Sequence, residues 1–219
     1  DLTQNTALTY LNCEDNQLTS LDLSQNSALD ILYCDYNQLT SLNLNGAVSL
    51  GAVRVNYNQL TYLDLSTNTQ LEVLEVTGNK LTSLDVSQNP VLNRLECEGQ
   101  NWPNSQLTSL DLSQNPNLQY VNCGQNQLTS LNLNGAVSLK TLYCHENQLT
   151  TLDLSTNIIL EGIWCPYNQI TSLDLTQNIN TNGVSLDCFD NALTNLDIRN
   201  GLNHTWWSVK CFNNPNLTC

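Results

Sequence analysis

LTYLNCEDNQLTSLDLSQNSA, residues 8–28, runs directly into LDILYCDYNQLTSLNLNGAVS, residues 29–49. The two stretches are equal in length and keep Leu, Cys and Asn in the same columns, so the unit is a 21-residue repeat. Internal repetition overrides the usual reading of 219 residues as one or two globular domains. The phase continues through LGAVRVNYNQLTYLDLSTNTQ and LEVLEVTGNKLTSLDVSQNPV. LNRLECEGQNWPNSQLTSLDLSQNPN then carries five extra residues, and three more regular copies start at Leu118, Leu139 and Leu160. Looser copies occupy 181–219, which gives about ten repeats in a single domain, residues 1–219.

Numbered from the leading Leu, apolar residues recur at positions 1, 4, 6, 11, 14 and 16. The alternation at 4 and 6, and again at 14 and 16, predicts two short strands per repeat and no helix. A polar unit of this size cannot bury its own Leu residues, so successive units must stack them into one core, about 4.8 Å per step. The expected fold is a mainly β solenoid, roughly 50 Å long by the same spacing. LNLNGAVSL at 42–50 returns at 131–139, an offset of four repeats plus the insertion, which indicates duplication of a four-repeat block. The insertion, 99–105, reads as a loop near that seam. The opening DLTQN matches positions 15 to 19 of a preceding repeat and reads as part of a longer protein.

LxxLxCxxN resembles the leucine-rich repeat consensus, and positions 11 to 19 (LTSLDLSQN) repeat the same form. This nesting is similar to the 21-residue bacterial class of leucine-rich repeats. The resemblance implies a right-handed coil with a parallel concave sheet, a second strand-like convex face and little helix. It also implies that the Asn at position 9 folds its amide into the turn to bond adjacent rungs. That column holds Asn16, Asn37, Asn58, Asn79, Asn126, Asn147, Asn168, Asn191 and Asn214, with Gln100 in the fifth repeat.

Positions 2, 3, 5, 7 and 8 are expected to face outward on the concave surface. Twelve of the 20 acidic residues fall there, together with Arg54, Arg94, Lys140 and Lys210 and eleven aromatic side chains. The second strand exposes Thr, Ser and Asp, with Tyr62 its one ring. Strand propensity alone would enrich both strands in rings, so the asymmetry points to binding. Two centres emerge: Tyr33, Tyr36, Arg54, Tyr57, Glu75, Arg94 and Glu96, and Tyr120, Tyr143, His145, Trp164 and Tyr167.

The remaining acids stand at position 15: Asp1, Asp22, Asp64, Asp85, Asp111, Asp153, Asp174 and Asp197. Three readings compete. Each Asp bonds nearby Ser, Thr or backbone N–H groups, with Asn43 and Asn132 relieving the column's charge, or Ca²⁺ bridges adjacent carboxylates as the one cofactor in view. The third, a flat ice-binding or adhesive array, is disfavoured by the charge. Eight of the nine cysteines occupy position 6, where Val55 and Val76 substitute, so a ladder of buried free thiols is expected. Cys219, at position 14, has the alternative of a staple to Cys211.

The net charge of −14 disfavours nucleic acid and anionic membrane surfaces, and no apolar run is long enough to span a bilayer. The two histidines, His145 and His204, lack motif partners, and Glu75 and Glu96, one rung apart at a glycosidase-like spacing, are a pair that twelve acids over ten rungs produce by chance. The expectation is a non-catalytic protein-binding module of a secreted or surface-exposed bacterial protein, with a host or matrix protein as partner. A structural spacer, calcium-stabilised or not, and a glycan-binding surface are the alternatives.

Overall fold

The structure, a computed structural model, describes residues 2–99, 107–179, 183–201 and 206–218, with Trp206 described by its backbone alone. Gln100, Trp102, Pro103, His204, Cys219 and Asp1 lie outside the described residues, and with them most of the insertion and the Cys211–Cys219 staple. All regular structure among the described residues is β-strand.

Ten strands form one long parallel sheet: β1 (Tyr10–Asn12), β3 (Ile31–Tyr33), β5 (Ala52–Arg54), β6 (Val73–Glu75), β7 (Arg94–Glu96), β9 (Tyr120–Asn122), β11 (Thr141–Tyr143), β12 (Gly162–Trp164), β14 (Val184–Asp187) and β16 (Trp206–Lys210). Register is repeat-to-repeat: Tyr33 pairs with Arg54, Arg54 with Glu75, and Glu75 with Glu96. Each repeat position therefore becomes a column running along the sheet. In the repeat starting at Leu29, the side chains of Leu32, Cys34, Leu39 and Leu44 are buried with Leu29, as the apolar pattern requires. Each fully buried Leu contributes about 2 kcal/mol of transfer free energy, and stacking merges the columns into one continuous core.

The Asn column closes the turn after the long-sheet strands other than β7, whose column residue is Gln100. Asn58 Nδ2 donates to the carbonyls of Cys34 (3.0 Å), Val55 (3.2 Å) and Asn56 (3.1 Å), while its Oδ1 accepts from Leu39 N–H (2.9 Å). One buried side chain thus satisfies four backbone groups in two rungs, and Asn37, Asn147 and Asn168 repeat the pattern. The residue just before it, at position 8, has left-handed backbone: φ lies between 51° and 56° at Asp15, Tyr36, Tyr57, Gln125, Glu146, Tyr167, Asp190 and Asn213, and is 70° at Gly78.

A second Asn column lies at position 19. Asn68 Nδ2 donates to the carbonyls of Leu44 (3.2 Å) and Ala47 (2.9 Å), and its Oδ1 accepts from no group among the described residues. Ala47 and Ala136 replace Asn in two repeats, where the turn settles against the rung before it. A Cβ on Gly46 would stand 1.7 Å from the Ser24 carbonyl oxygen, and one on Gly135 would stand 1.8 Å from that of Ser113. The Gly-Ala pair in NGAVS is therefore one change: losing the Asn lets the backbone close in, and the close approach requires glycine.

The expectation of a second strand in every repeat needs correction. Pairing on the opposite side is confined, among the described residues, to β2 (Ser20–Asp22) with β4 (Ser41–Asn43), β8 (Ser109–Asp111) with β10 (Ser130–Asn132), and β13 (Ser172–Asp174) with β15 (Asn195–Asp197). In the first two ladders an Asp faces an Asn whose Nδ2 donates to it, Asn43 to Asp22 and Asn132 to Asp111, both at 3.0 Å. In the third, Asp174 faces Asp197, and Arg199 chelates the latter. No ladder joins Asn43 to Asp64, Asp64 to Asp85, Asn132 to Asp153 or Asp153 to Asp174. Like charges directly opposite on neighbouring strands disfavour pairing, and the bonds from Asn43, Asn132 and Arg199 relieve that charge in the three ladders that form.

Candidate binding face

Side chains at positions 3, 5, 7 and 8 of the long sheet form three aromatic groups around an ion-pair network. At the first centre, Tyr10 meets Tyr33 edge-on (5.8 Å), and Tyr36 stacks on Tyr57 (4.6 Å, 15° between planes). The Arg54 guanidinium covers the Tyr33 ring at 4.8 Å. Glu75 is nearly buried between two arginines, with Arg54 Nε at 3.3 Å and Arg94 Nε at 3.5 Å, and it accepts from Asn56 Nδ2 at 3.4 Å. Arg94 also binds Glu96.

The two centres expected from the sequence are one. Arg94 reaches across to the Tyr120 ring at 4.0 Å, because β7 and β9 are adjacent and in register, Arg94 opposite Tyr120. The five-residue insertion hides that adjacency in the sequence. Tyr120 leads to Tyr143 (5.7 Å), which stacks on Trp164 (4.5 Å, 11°). Tyr167 belongs to a third group, edge-on to Phe189 (5.4 Å), which stacks on Phe212 (4.5 Å, 9°).

His145 reaches back over Gly124 to Glu98, with Nε2 3.4 Å from Oε1, and a Cβ on Gly124 would stand 2.3 Å from its Cε1. Asn122 Nδ2 donates to the other Glu98 oxygen at 2.8 Å. The hydrogen bond from His145 lowers the Glu98 carboxyl below its usual range. Burial pushes Glu96 up despite Arg94, and pushes Asp35 up despite bonds from Asn56. The repeat pattern places these acids in the open, whereas Glu75 and Asp187 are nearly buried and the floor of the face satisfies itself. It also misses Asn56 and the two glycines that make room for large neighbours, Gly124 and Gly162, and it leaves Glu98, Phe189 and Phe212 on the face but outside the two centres. A small residue beside a large one in the next column is the available signal.

On the opposite side, one oxygen of each described position-15 carboxylate closes a turn. Asp22, Asp64, Asp85, Asp111, Asp153 and Asp174 each accept from the backbone N–H two residues on, at 2.9–3.0 Å. Those bonds hold Asp22, Asp64, Asp111 and Asp153 below the usual aspartate range, and Arg199 takes Asp197 to about 2. Among the described residues, no group of three or more His, Cys, Asp or Glu converges as a cation cage.

The position-6 thiols line the core as a ladder, with Cys34, Cys97, Cys123, Cys144, Cys165 and Cys188 buried and Cys13 and Cys211 half-buried. Free thiols fill these columns, and Cys34 and Cys123 donate to the carbonyls of Arg54 and Tyr143, each at 3.5 Å.

By repeat and by fold the chain is a leucine-rich repeat protein of the 21-residue kind. It is similar to the functional domain of InlJ from Listeria monocytogenes, described as including a cysteine ladder, at 32% identity over 99% of this chain and 58% of that one, with a TM-score of 0.72. An internalin (inlF) from Listeria monocytogenes matches 95% of this chain and 62% of its own at 21% identity and a TM-score of 0.76. YopM, a leucine-rich effector protein from Yersinia pestis, matches 90% of this chain and 53% of its own at 26% identity and a TM-score of 0.67. The chain thus spans about three-fifths of these structures or less. No family model and no curated protein sequence matches it. No helix among the described residues is long and apolar enough to cross a membrane.

Proposed function

We propose that the chain is a non-catalytic protein-interaction module of a secreted or surface-exposed bacterial protein, and that the outer face of the long sheet is its binding face. The observation that carries this reading is the ring arrangement. Three pairs, Tyr36–Tyr57, Tyr143–Trp164 and Phe189–Phe212, stack nearly parallel at 4.5–4.6 Å, close to the strand spacing. Rings stacked along the sheet spend a face on each other and present their edges outward. A sugar platform needs a free face, whereas a protein interface is served by rigid rings of this kind, held at small entropic cost. Position 8 supports the same reading. A left-handed backbone costs a residue other than glycine about 1 kcal/mol, yet the column keeps Tyr36, Tyr57 and Tyr167 there.

The test is the triple variant Tyr33→Ala, Tyr57→Ala, Trp164→Ala, compared with wild type for capture of host-cell surface and matrix proteins, for binding on a glycan array, and for Tm. Loss of protein capture with cooperative melting kept supports the interface. Capture unchanged in the triple variant overturns it in favour of a spacer, and binding confined to glycans overturns the choice of partner.

A further inference from the structure

We propose that the partner contributes a cationic segment, rich in Lys and Arg, whose stems lie against the rings and whose charged heads meet an acidic rim. The inference rests on the binding face proposed above and adds the chemistry of what it takes.

Charge is divided between floor and rim. Every ion pair on the face uses a floor acid: Glu75 and Glu96 with the arginines, Glu98 with His145, and Asp187 with Lys210 at 2.9 Å. The rim acids are exposed, Asp30, Glu72 and Glu161 at position 2 and Asp15 and Glu146 at position 8, and none takes part in an ion pair among the described residues. Lys140 shares the position-2 rim with Glu161 and forms no ion pair with it. With six basic residues against 20 acidic ones in the whole chain, the excess cannot be met internally. Complementarity therefore selects a basic partner and repels an acidic one.

The face already displays the mode of contact with its own side chains. Arg54 lies over Tyr33 and Arg94 over Tyr120, each guanidinium sharing a ring and a carboxylate. Guanidinium groups stack on aromatic rings and pair with carboxylates at once, and long basic side chains bury their stems along apolar surface. The exposed Tyr36 and Tyr167 share the position-8 column with rim carboxylates, one rung from Asp15 and Glu146 respectively.

The test uses a synthetic peptide alternating Arg with Gly and Ser, and its Glu counterpart, titrated against three proteins at low and raised salt. These are wild type, the rim triple Asp30→Asn, Glu72→Gln, Glu161→Gln, and the opposite-side triple Asp64→Asn, Asp85→Asn, Asp153→Asn. The last removes the same charge from a column that tolerates Asn at 43 and 132. The expected result is binding of the Arg peptide alone, about tenfold weaker in the rim triple, unchanged in the opposite-side triple and weakened by salt. Equal losses in both triples would reduce the effect to bulk charge and overturn the proposal, as would binding of the Glu peptide. If a captured protein is lost by the aromatic triple and kept by the rim triple, the binding face stands and the basic partner falls.

Discussion

Gly162 and Trp164 occupy alternate positions of one strand, and the indole covers the glycine so closely that a Cβ built on Gly162 would stand 2.1 Å from Trp164 Cζ3. The absent side chain is what lets the indole lie face to face with Tyr143. Gly162→Val is therefore expected to turn the indole off its partner while leaving the strand paired, since Val suits strands better than Gly. The change is expected to weaken partner binding to the level of Trp164→Ala with no fall in Tm. The Trp164 indole shift in NMR reads the rotation, and an unmoved shift would mean that the backbone yields instead.

The two Asn columns carry different weights. Asn58→Ala strands the Leu39 N–H inside the protein and takes one of two donors from each of the Cys34, Val55 and Asn56 carbonyls, and is expected to cost about 2–4 kcal/mol. Asn68→Ala removes two donors from a column that accepts Ala elsewhere, and is expected to cost about 1 kcal/mol. Denaturant unfolding of the two variants checks the order, and equal costs would contradict it.

Much of the fold is legible in the repeat itself. Apolar columns fix a solenoid whatever the other residues are, and a position that exchanges Cys with Val announces a small buried apolar slot, as Cys34 and Val55 confirm. What the repeat hides is relational. The link from Arg94 to Tyr120 crosses a 26-residue repeat, and the rotamers that pair Glu75 with both arginines depend on three strands at once. The left-handed position 8 is masked in the sequence because Tyr, Glu and Gln dilute the Asp15, Gly78, Asp190 and Asn213 that would signal it.

Acid should loosen the turns on the side opposite the long sheet. Asp22, Asp64, Asp111, Asp153 and Asp197 have folded values below the unfolded one, so their contribution is complete above about pH 4 and is lost as pH falls through the folded values, Asp197 last at about 2. Asp35 and Glu96 act with the opposite sign, since their raised values favour the fold only below the unfolded ones. Urea melts from pH 6 to pH 2 are expected to fall below about pH 4, less steeply in Asp64→Asn. At neutral pH, Glu96→Gln is expected to stay within about 0.5 kcal/mol of wild type in spite of its ion pair.

The same geometry bears on calcium. A carboxylate with one oxygen committed to a turn is a poor member of a cage that needs six to eight oxygen ligands. Chelator and added calcium are each expected to leave Tm where it is. A rise of several degrees with calcium, absent in Asp64→Asn, Asp85→Asn, would restore the bridging reading.

Thiol chemistry should report position along the ladder. Burial raises Cys97, Cys144 and Cys165 and pushes Cys123 and Cys188 up to about 12, whereas the hydrogen bond between Cys34 and Cys13 raises Cys34, with burial second, and lowers Cys13. Iodoacetamide on the native protein is expected to label Cys13 and spare those six, with all of them labelled after denaturation. Labelling of Cys144 or Cys165 in the folded protein would place the ladder outside the core.

At position 8 the handedness of the turn is imposed from outside, by the Asn amide and the rung before it, so the residue that adopts it has no say in forming it. A lineage can therefore exchange Tyr for Glu, Gln or Asp there one at a time without rebuilding the turn. The rim of the binding face is thereby separated, in evolutionary terms, from the part of the repeat that must be copied faithfully.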